Sequence, residues 1–179
     1  MKLILPTAEY TEQIRAYRQE FLDSGSSMDG TGALREIADP AEWLRWTEAC
    51  TAAETVPEPG FVPATQYIFV ADDGSKIAGM IQIRHYFSEF LEKYGGHIGY
   101  SVAPSERRKG CASEMLRLTL PKCRELGLDR VLITCDSDNE GSRRTILNNG
   151  GVYESTVYEE NEGVFLERYW IDILKGGRK

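Results

Sequence analysis

The sequence predicts a single α/β domain: one mixed, mostly antiparallel, twisted sheet with helices on both faces. Three observations carry that expectation. Short β-branched runs alternate with stretches whose apolar residues recur at helical spacing. Two turn-forming segments, Asp72-Asp73-Gly74-Ser75 and Glu160-Asn161-Glu162-Gly163, each join a pair of strand-like runs. A chain of 179 residues, 41% hydrophobic and 27% charged, suits one domain with a substantial core rather than two.

Lys2 to Leu5 reads as a first strand. Thr7 is the expected N-cap of a helix in which Tyr10, Ile14, Tyr17 and Phe21 share one face. Ser24-Gly25-Ser26-Ser27 ends that pattern, and residues 24 to 38 read as loop. Asp39-Pro40-Ala41-Glu42 opens a second helix, with Asp39 as cap and Pro40 in the first turn. Its Trp43 and Trp46 either pack the helix on the sheet, the favoured reading, or wall a substrate pocket. Pro57, Pro59, Gly60 and Pro63 then exclude a helix. Strands follow over Gln66–Ala71 and Lys76–Arg84, then a short helical excursion over Phe87–Tyr94 closed by Gly95-Gly96. His97 to Val102 is the central strand, and a long helix runs from Gly110 to a glycine stop at Gly127. Arg130–Asp136 is a buried strand, Glu140–Asn149 a helix, and Val152–Glu159 with Val164–Ile173 the last strand pair. Gly176 to Lys179 should fray.

Chemistry concentrates between the central strand and the long helix, in Val102-Ala103-Pro104-Ser105-Glu106-Arg107-Arg108-Lys109-Gly110-Cys111-Ala112. Pro104 ends the strand's ladder. A helix start presents unpaired N–H groups and the positive end of a dipole, which suit a phosphate. Gly110 and Ala112 keep the backbone free of bulk, and Arg107, Arg108 and Lys109 add charge that can meet phosphate oxygens. The bland reading of three adjacent basic residues is a solvated turn.

The order Arg-x-x-Gly-x-Ala after a strand ending Val-Ala-Pro resembles the acetyl-coenzyme-A loop of the GNAT acetyltransferase superfamily. The strand Arg130–Asp136 followed by Asn139-Glu140-Gly141-Ser142 and a helix ending in Gly150-Gly151 resembles that family's second cofactor segment. Together the matching segments cover about residues 66 to 175. The resemblance implies one acetyltransferase domain over residues 1 to 179, with residues 24 to 65 as the acceptor-specificity region. It implies acetyl-CoA as co-substrate and direct acetyl transfer to an amine of a small molecule or peptide. Backbone groups of Tyr100, Ser101 and Val102, on a strand splayed from its neighbour, would bind the pantetheine arm; Asn139 and Ser142 would hold it from the other side. Asn139 also suits a helix N-cap. Where the family often carries a tyrosine to protonate the leaving thiolate, this chain has Ile146, which leaves Tyr100, Tyr153 or water. That departure gives a foothold to an alternative, a non-catalytic acyl-CoA-binding sensor.

His85 and His97 are the only histidines. His97 falls at or next to the place where many family members have a glutamate base, and an imidazole titrates near neutrality. It is therefore the candidate catalytic base, with a purely structural histidine as its rival. Cys50, Cys111, Cys123 and Cys135 show no zinc-type spacing and are expected as free thiols, with no metal site. A formal charge of −7 argues against general nucleic-acid binding. No apolar run approaches the ~20 residues of a membrane span, and no secretory leader is recognisable, so a cytoplasmic protein is expected. A homodimer is compatible with the reading.

Overall fold

The computed structural model describes residues 1–174; the expected frayed end at Gly176–Lys179 lies outside them. Seven strands and four α-helices follow in the order β1 (Lys2–Ile4), α1 (Thr11–Ser24), α2 (Pro40–Ala49), β2 (Ala64–Val70), β3 (Ile77–Arg84), β4 (Ile98–Val102), α3 (Cys111–Glu125), β5 (Arg130–Asp136), α4 (Glu140–Asn148), β6 (Val152–Glu159) and β7 (Val164–Asp172). Strands β1-β2-β3-β4 form one antiparallel sheet and β5-β7-β6 another. The first lies beside the second at the start of β4, where the His97 N–H donates to the Leu132 carbonyl at 2.8 Å.

Period-two alternation sorts the core onto two faces. Ile68, Val70 and Met80 turn to one side, where Ile14, Tyr17 and Phe21 of α1 and Trp43 of α2 cover them. Phe69, Ile81, Ile83, Ile98, Val131 and Ile133 turn to the other, against Met115, Leu116 and Cys123 of α3 and Ile146 of α4. Helices thus lie on both faces, as expected.

Local differences from the sequence reading have simple causes. Thr7 does not cap α1: its backbone is extended, its side chain makes no cap bond, and a single 3-10 turn at Ala8–Tyr10 precedes the helix. Asp39 does cap α2, accepting from the Ala41 N–H at 3.1 Å, with Pro40 in the first position. Trp43 is fully buried and its indole N–H donates to the Thr31 carbonyl at 2.9 Å, so it packs rather than lining a pocket. The excursion before β4 is one wide turn, Leu91–Gly95. Arg168 donates to the carbonyls of Glu92 and Lys93, Thr134 to that of Tyr94, and Arg84 to those of Gly95 and Gly96. The four cysteines are free and buried. Among the described residues no helix is long and apolar enough to cross a membrane, and no group of three or more His, Cys, Asp or Glu is placed to hold a metal ion.

Candidate active site

Strands β4 and β5 start side by side and then part. The Ala103 N–H donates to the Ala78 carbonyl and the Arg84 N–H to the His97 carbonyl, which fixes the direction of every peptide between them. By strand alternation, the backbone groups of Gly99 and Ser101 face β3, while those of Ile98, Tyr100 and Val102 face the gap. Among the described residues β4 has a ladder partner only in β3, so the gap side is an edge of hydrogen-bonding groups. A cleft of about 1310 Å³ opens there, enough for a large cofactor together with a second substrate. The backbone assigned to Tyr100 and Val102 from sequence is therefore on the gap. That of Ser101 is not: its carbonyl accepts from the Tyr17 hydroxyl at 3.0 Å.

One end of the cleft is the start of α3. Gly110, at φ +82°, is the N-cap and has no side chain to offer, so the first N–H groups of the helix, at Cys111, Ala112 and Ser113, have no side-chain cap. A Cβ at Gly110 would meet nothing within 4 Å, so an anion can approach closely. Arg107, Arg108, Gly110, Cys111 and Ala112 all line the cleft. Arg108 holds a left-handed backbone at φ +61°, uncommon for a side chain of its size. Arg107 is anchored through Nε to the Val102 carbonyl at 3.2 Å. Lys109 does not join them: its ammonium lies 3.1 Å from the Glu106 carboxylate, which also holds Lys76 at 2.9 Å.

The start of α4 forms the opposite wall, and it is built differently. Asn139 Oδ1 accepts from the Ser142 N–H at 3.0 Å, so this helix end is capped by its own side chain. The N-cap reading of Asn139 is thereby shown, and the cap engages Oδ1 and not Nδ2. Ser142 Oγ lies 2.8 Å from the Tyr100 hydroxyl and ties the two walls together. Arg143 pairs with Glu167 at 2.7 Å and anchors α4 to β7. Ile146 is fully buried in the core and offers the cleft nothing. Tyr153 leaves the candidates for proton donor: it is about half exposed on β6, bonds Thr156, and does not line the cleft. Tyr100 remains, its phenol pushed up to about 12 by burial and therefore protonated at neutral pH. Burial likewise pushes the Cys135 thiol up to about 11, which suppresses a nucleophilic thiolate.

His97 is not on the cleft. The residue is 6% exposed, its Nδ1 accepts from the Leu132 N–H at 3.0 Å, and its ring packs 3.9 Å from that of Phe87. Burial, with Arg84 and Arg130 nearby, pushes its pKa down to about 4. Its place is the closed end of the gap, where it bolts β4 to β5, and the geometry fits the structural rival instead of the base. His85 bonds Thr65 at 2.8 Å.

The far end of the cleft holds the residues that sequence reasoning missed. Of the region 24 to 65, only Ser26, Ser27, Asp29 and Gly30 line it. The Ser101 hydroxyl donates to the Asp29 carbonyl at 2.6 Å and the Gln66 amide to the Gly30 carbonyl at 2.9 Å, which stitches this loop across the sheet. Arg84, Tyr94, Asp136, Glu159 and Glu162 also line the cleft. Burial first, then the charges of Asp138 and Asp29, raise the Asp136 carboxyl above its ordinary range. Of these, only Asp136 had a local signal, a carboxylate at the C-terminal end of a strand that precedes a motif.

Comparison with known proteins agrees with this geometry. A family model described as an acetyltransferase (GNAT) domain matches residues 15–152. No curated protein matches the chain. Solved structures with the same fold include Mycobacterium smegmatis RimJ in complex with CoA-disulfide, at TM-score 0.71 and 18% identity over 99% of this chain and 84% of that one. The ribosomal-protein-S5-alanine acetyltransferase from Vibrio fischeri is similar at TM-score 0.68 and 16% identity, covering 95% and 91%. A point mutant of the spermidine N-acetyltransferase SpeG from Vibrio cholerae is similar at TM-score 0.64 and 12% identity, covering 98% and 96%.

Proposed function

The chain belongs to the acetyltransferase (GNAT) domain family, and from that premise we propose that it is an acetyl-CoA-dependent N-acetyltransferase acting directly on an amine of a small molecule or peptide. The observation that carries this reading is the parting of β4 from β5 beside an uncapped helix start. The N–H groups of α3, with Arg107 and Arg108, hold the pyrophosphate. The gap-side backbone of Ile98, Tyr100 and Val102 holds the pantetheine arm, with Asn139 facing it. When bound, acetyl-CoA supplies the activated acetyl thioester. An N–H on the β4 edge is a preorganised donor for charge that develops on a carbonyl oxygen.

At the far end, Asp29 and Asp136 attract a cationic amine, and the raised affinity of Asp136 for protons suits it to take one, directly or through water. Tyr100 keeps its proton too tightly to give it up fully and serves as a hydrogen-bond donor; water delivers the proton to the leaving thiolate. The protein acts in the cytoplasm. Self-association into a homodimer is part of the proposal, through the exposed Val152, Tyr153, Tyr158 and Phe165 of β6 and β7.

The test is a thermal shift with acetyl-CoA followed by release of free thiol with a panel of amines. A shift and amine-dependent thiol release are expected. Absence of both would overturn the assignment. Ile146 in place of the family's tyrosine favours one second reading, the acyl-CoA-binding sensor, which predicts a shift with no thiol release for any amine.

A further inference from the structure

Arg84, the last residue of β3, carries a guanidinium that is largely buried yet lines the cleft. Two bonds from Nη1, to the carbonyls of Gly95 at 2.8 Å and Gly96 at 3.2 Å, fix its plane. The Nη2 edge lies over Gly99, where an added Cβ would stand 3.2 Å from Nη2 and 3.2 Å from the Gly30 Cα. Two bare glycines therefore face each other beside the guanidinium, and neither places a side chain between it and the cavity.

The charge is not balanced locally. Among the described residues no carboxylate lies within 4.0 Å of Arg84, and Asp29 is the carboxylate whose field reaches it. Burial lowers the guanidinium's proton affinity below its ordinary value, a sign of incomplete solvation. A partly desolvated cation with no carboxylate partner is stabilised when something supplies the anion. The wall of the cleft is where a ligand can do so. A guanidinium fork matches a carboxylate in two parallel bonds. Here Nη1 is engaged, while Nε and Nη2 make no hydrogen bond among the described residues. Asp29 adjoins Gly30 and its field reaches the guanidinium, and Asp136, whose carboxyl feels Asp29, borders the same cavity.

We propose that the acceptor is a free amino acid, with its carboxylate docked on the Nε–Nη2 edge of Arg84 and its ammonium drawn to Asp29 and Asp136. The inference rests on the acetyltransferase reading and narrows it: a polyamine has no carboxylate for Arg84, and a protein N-terminus presents an amide there.

The deciding experiment compares each amino acid with its primary amide in thiol release by the wild-type protein. The two acceptors share the side chain and the reacting amine and differ in the group that Arg84 would hold. At least one amino acid should exceed its amide by about 10²-fold in kcat/KM, the size of discrimination a charge-assisted bidentate pair supports. Arg84→Gln should remove that preference through KM, leave the amide within about threefold, and leave the acetyl-CoA thermal shift unchanged. Amides or polyamines turned over as well as the acids would overturn the proposal while leaving the acetyltransferase standing. Equal losses for acid and amide in Arg84→Gln would mean that Arg84 only straps the Leu91–Gly95 turn, and would also overturn it. Should Arg84→Gln fail to fold, the wild-type ratio of acid to amide decides alone. Absence of any acetyl-CoA shift in the wild type would overturn both readings.

Discussion

The two ends of the cleft are made of different material. At the α3 end the groups proposed to bind the cofactor are main-chain N–H groups, exposed because one helix starts at a glycine and one strand keeps a free edge. At the far end the groups proposed to bind the acceptor are the side chains of Asp29, Arg84 and Asp136, which come from distant parts of the chain and reach one cleft only through tertiary packing. Main-chain sites tolerate most side-chain changes and fail when the backbone path is blocked. Side-chain sites fail one residue at a time. The difference predicts which substitutions destroy cofactor binding and which redirect the acceptor.

The largest effect should come from Gly110→Glu. A side chain there has open space, but the φ of +82° costs an L residue about 1–2 kcal/mol, and the carboxylate would stand at the uncapped helix start. Calorimetry should show the affinity for acetyl-CoA falling by more than about 10²-fold in a protein that still folds. An affinity within threefold of wild type would show that the α3 end does not hold the pyrophosphate.

This contrast also explains what the sequence can reveal. The α3 end is encoded by consecutive residues, so strand, proline, basic turn and glycine read off in a row, and Asn139 with Ser142 likewise. The order of strands and helices follows from periodicity for the same reason. What the sequence hides is long-range. The stretch 24 to 65 reads as the acceptor wall, yet only its first few residues reach the cleft, because α2 packs Trp43 into the core. Arg84 reads as an ordinary strand end, since the glycine carbonyls and bare glycines that define its setting lie 11 to 54 residues away or on another element. His97 misleads for a similar reason. Alternation gives the face of a strand, whereas its burial depends on Leu132 and Phe87, contributed by other segments.

The next effect tests the far end. Gly30→Ala would place a Cβ 2.0 Å from the Gly99 carbonyl oxygen, a main-chain atom that cannot swing aside, at a φ of +68°. The loop carrying Asp29 must lift from β4, at a cost of about 2–4 kcal/mol. Thermal unfolding should register that loss, and KM for the acceptor should rise about tenfold or more while acetyl-CoA affinity changes by less than threefold. Equal damage to both substrates would mean that the two ends are not separable.

A smaller effect concerns the bolt between the sheets. Because the pKa of His97 in the fold is about 4, below its unfolded value near 6.5, the unfolded chain binds more protons between those values. Stability is therefore full above pH 6.5 and falls as the pH drops toward 4. A protonated Nδ1 can no longer accept from the Leu132 N–H, so the β4–β5 junction itself loosens. His97→Gln retains an acceptor that does not titrate. Its melting temperature should depend less on pH over this window, while kcat/KM keeps the wild-type pH profile above pH 6.5. A changed activity profile with an unchanged stability profile would restore His97 as the base.

The smallest effect separates the three basic residues of the loop. Lys109 is paired with Glu106, itself shared with Lys76, so Lys109→Ala should shift acetyl-CoA affinity by less than about twofold. Arg108 lines the cleft in a left-handed conformation, so charge and backbone strain act there together. Arg108→Ala removes the charge and keeps the strain; Arg108→Gly removes both. The glycine variant should melt higher than the alanine variant by the equivalent of about 1 kcal/mol. Both should bind acetyl-CoA about three- to tenfold more weakly at low salt, a difference that shrinks as the ionic strength rises. Should the glycine variant bind as tightly as wild type, the loop's shape rather than the Arg108 charge would be what the pyrophosphate recognises. The α3 end would then be a main-chain site in full.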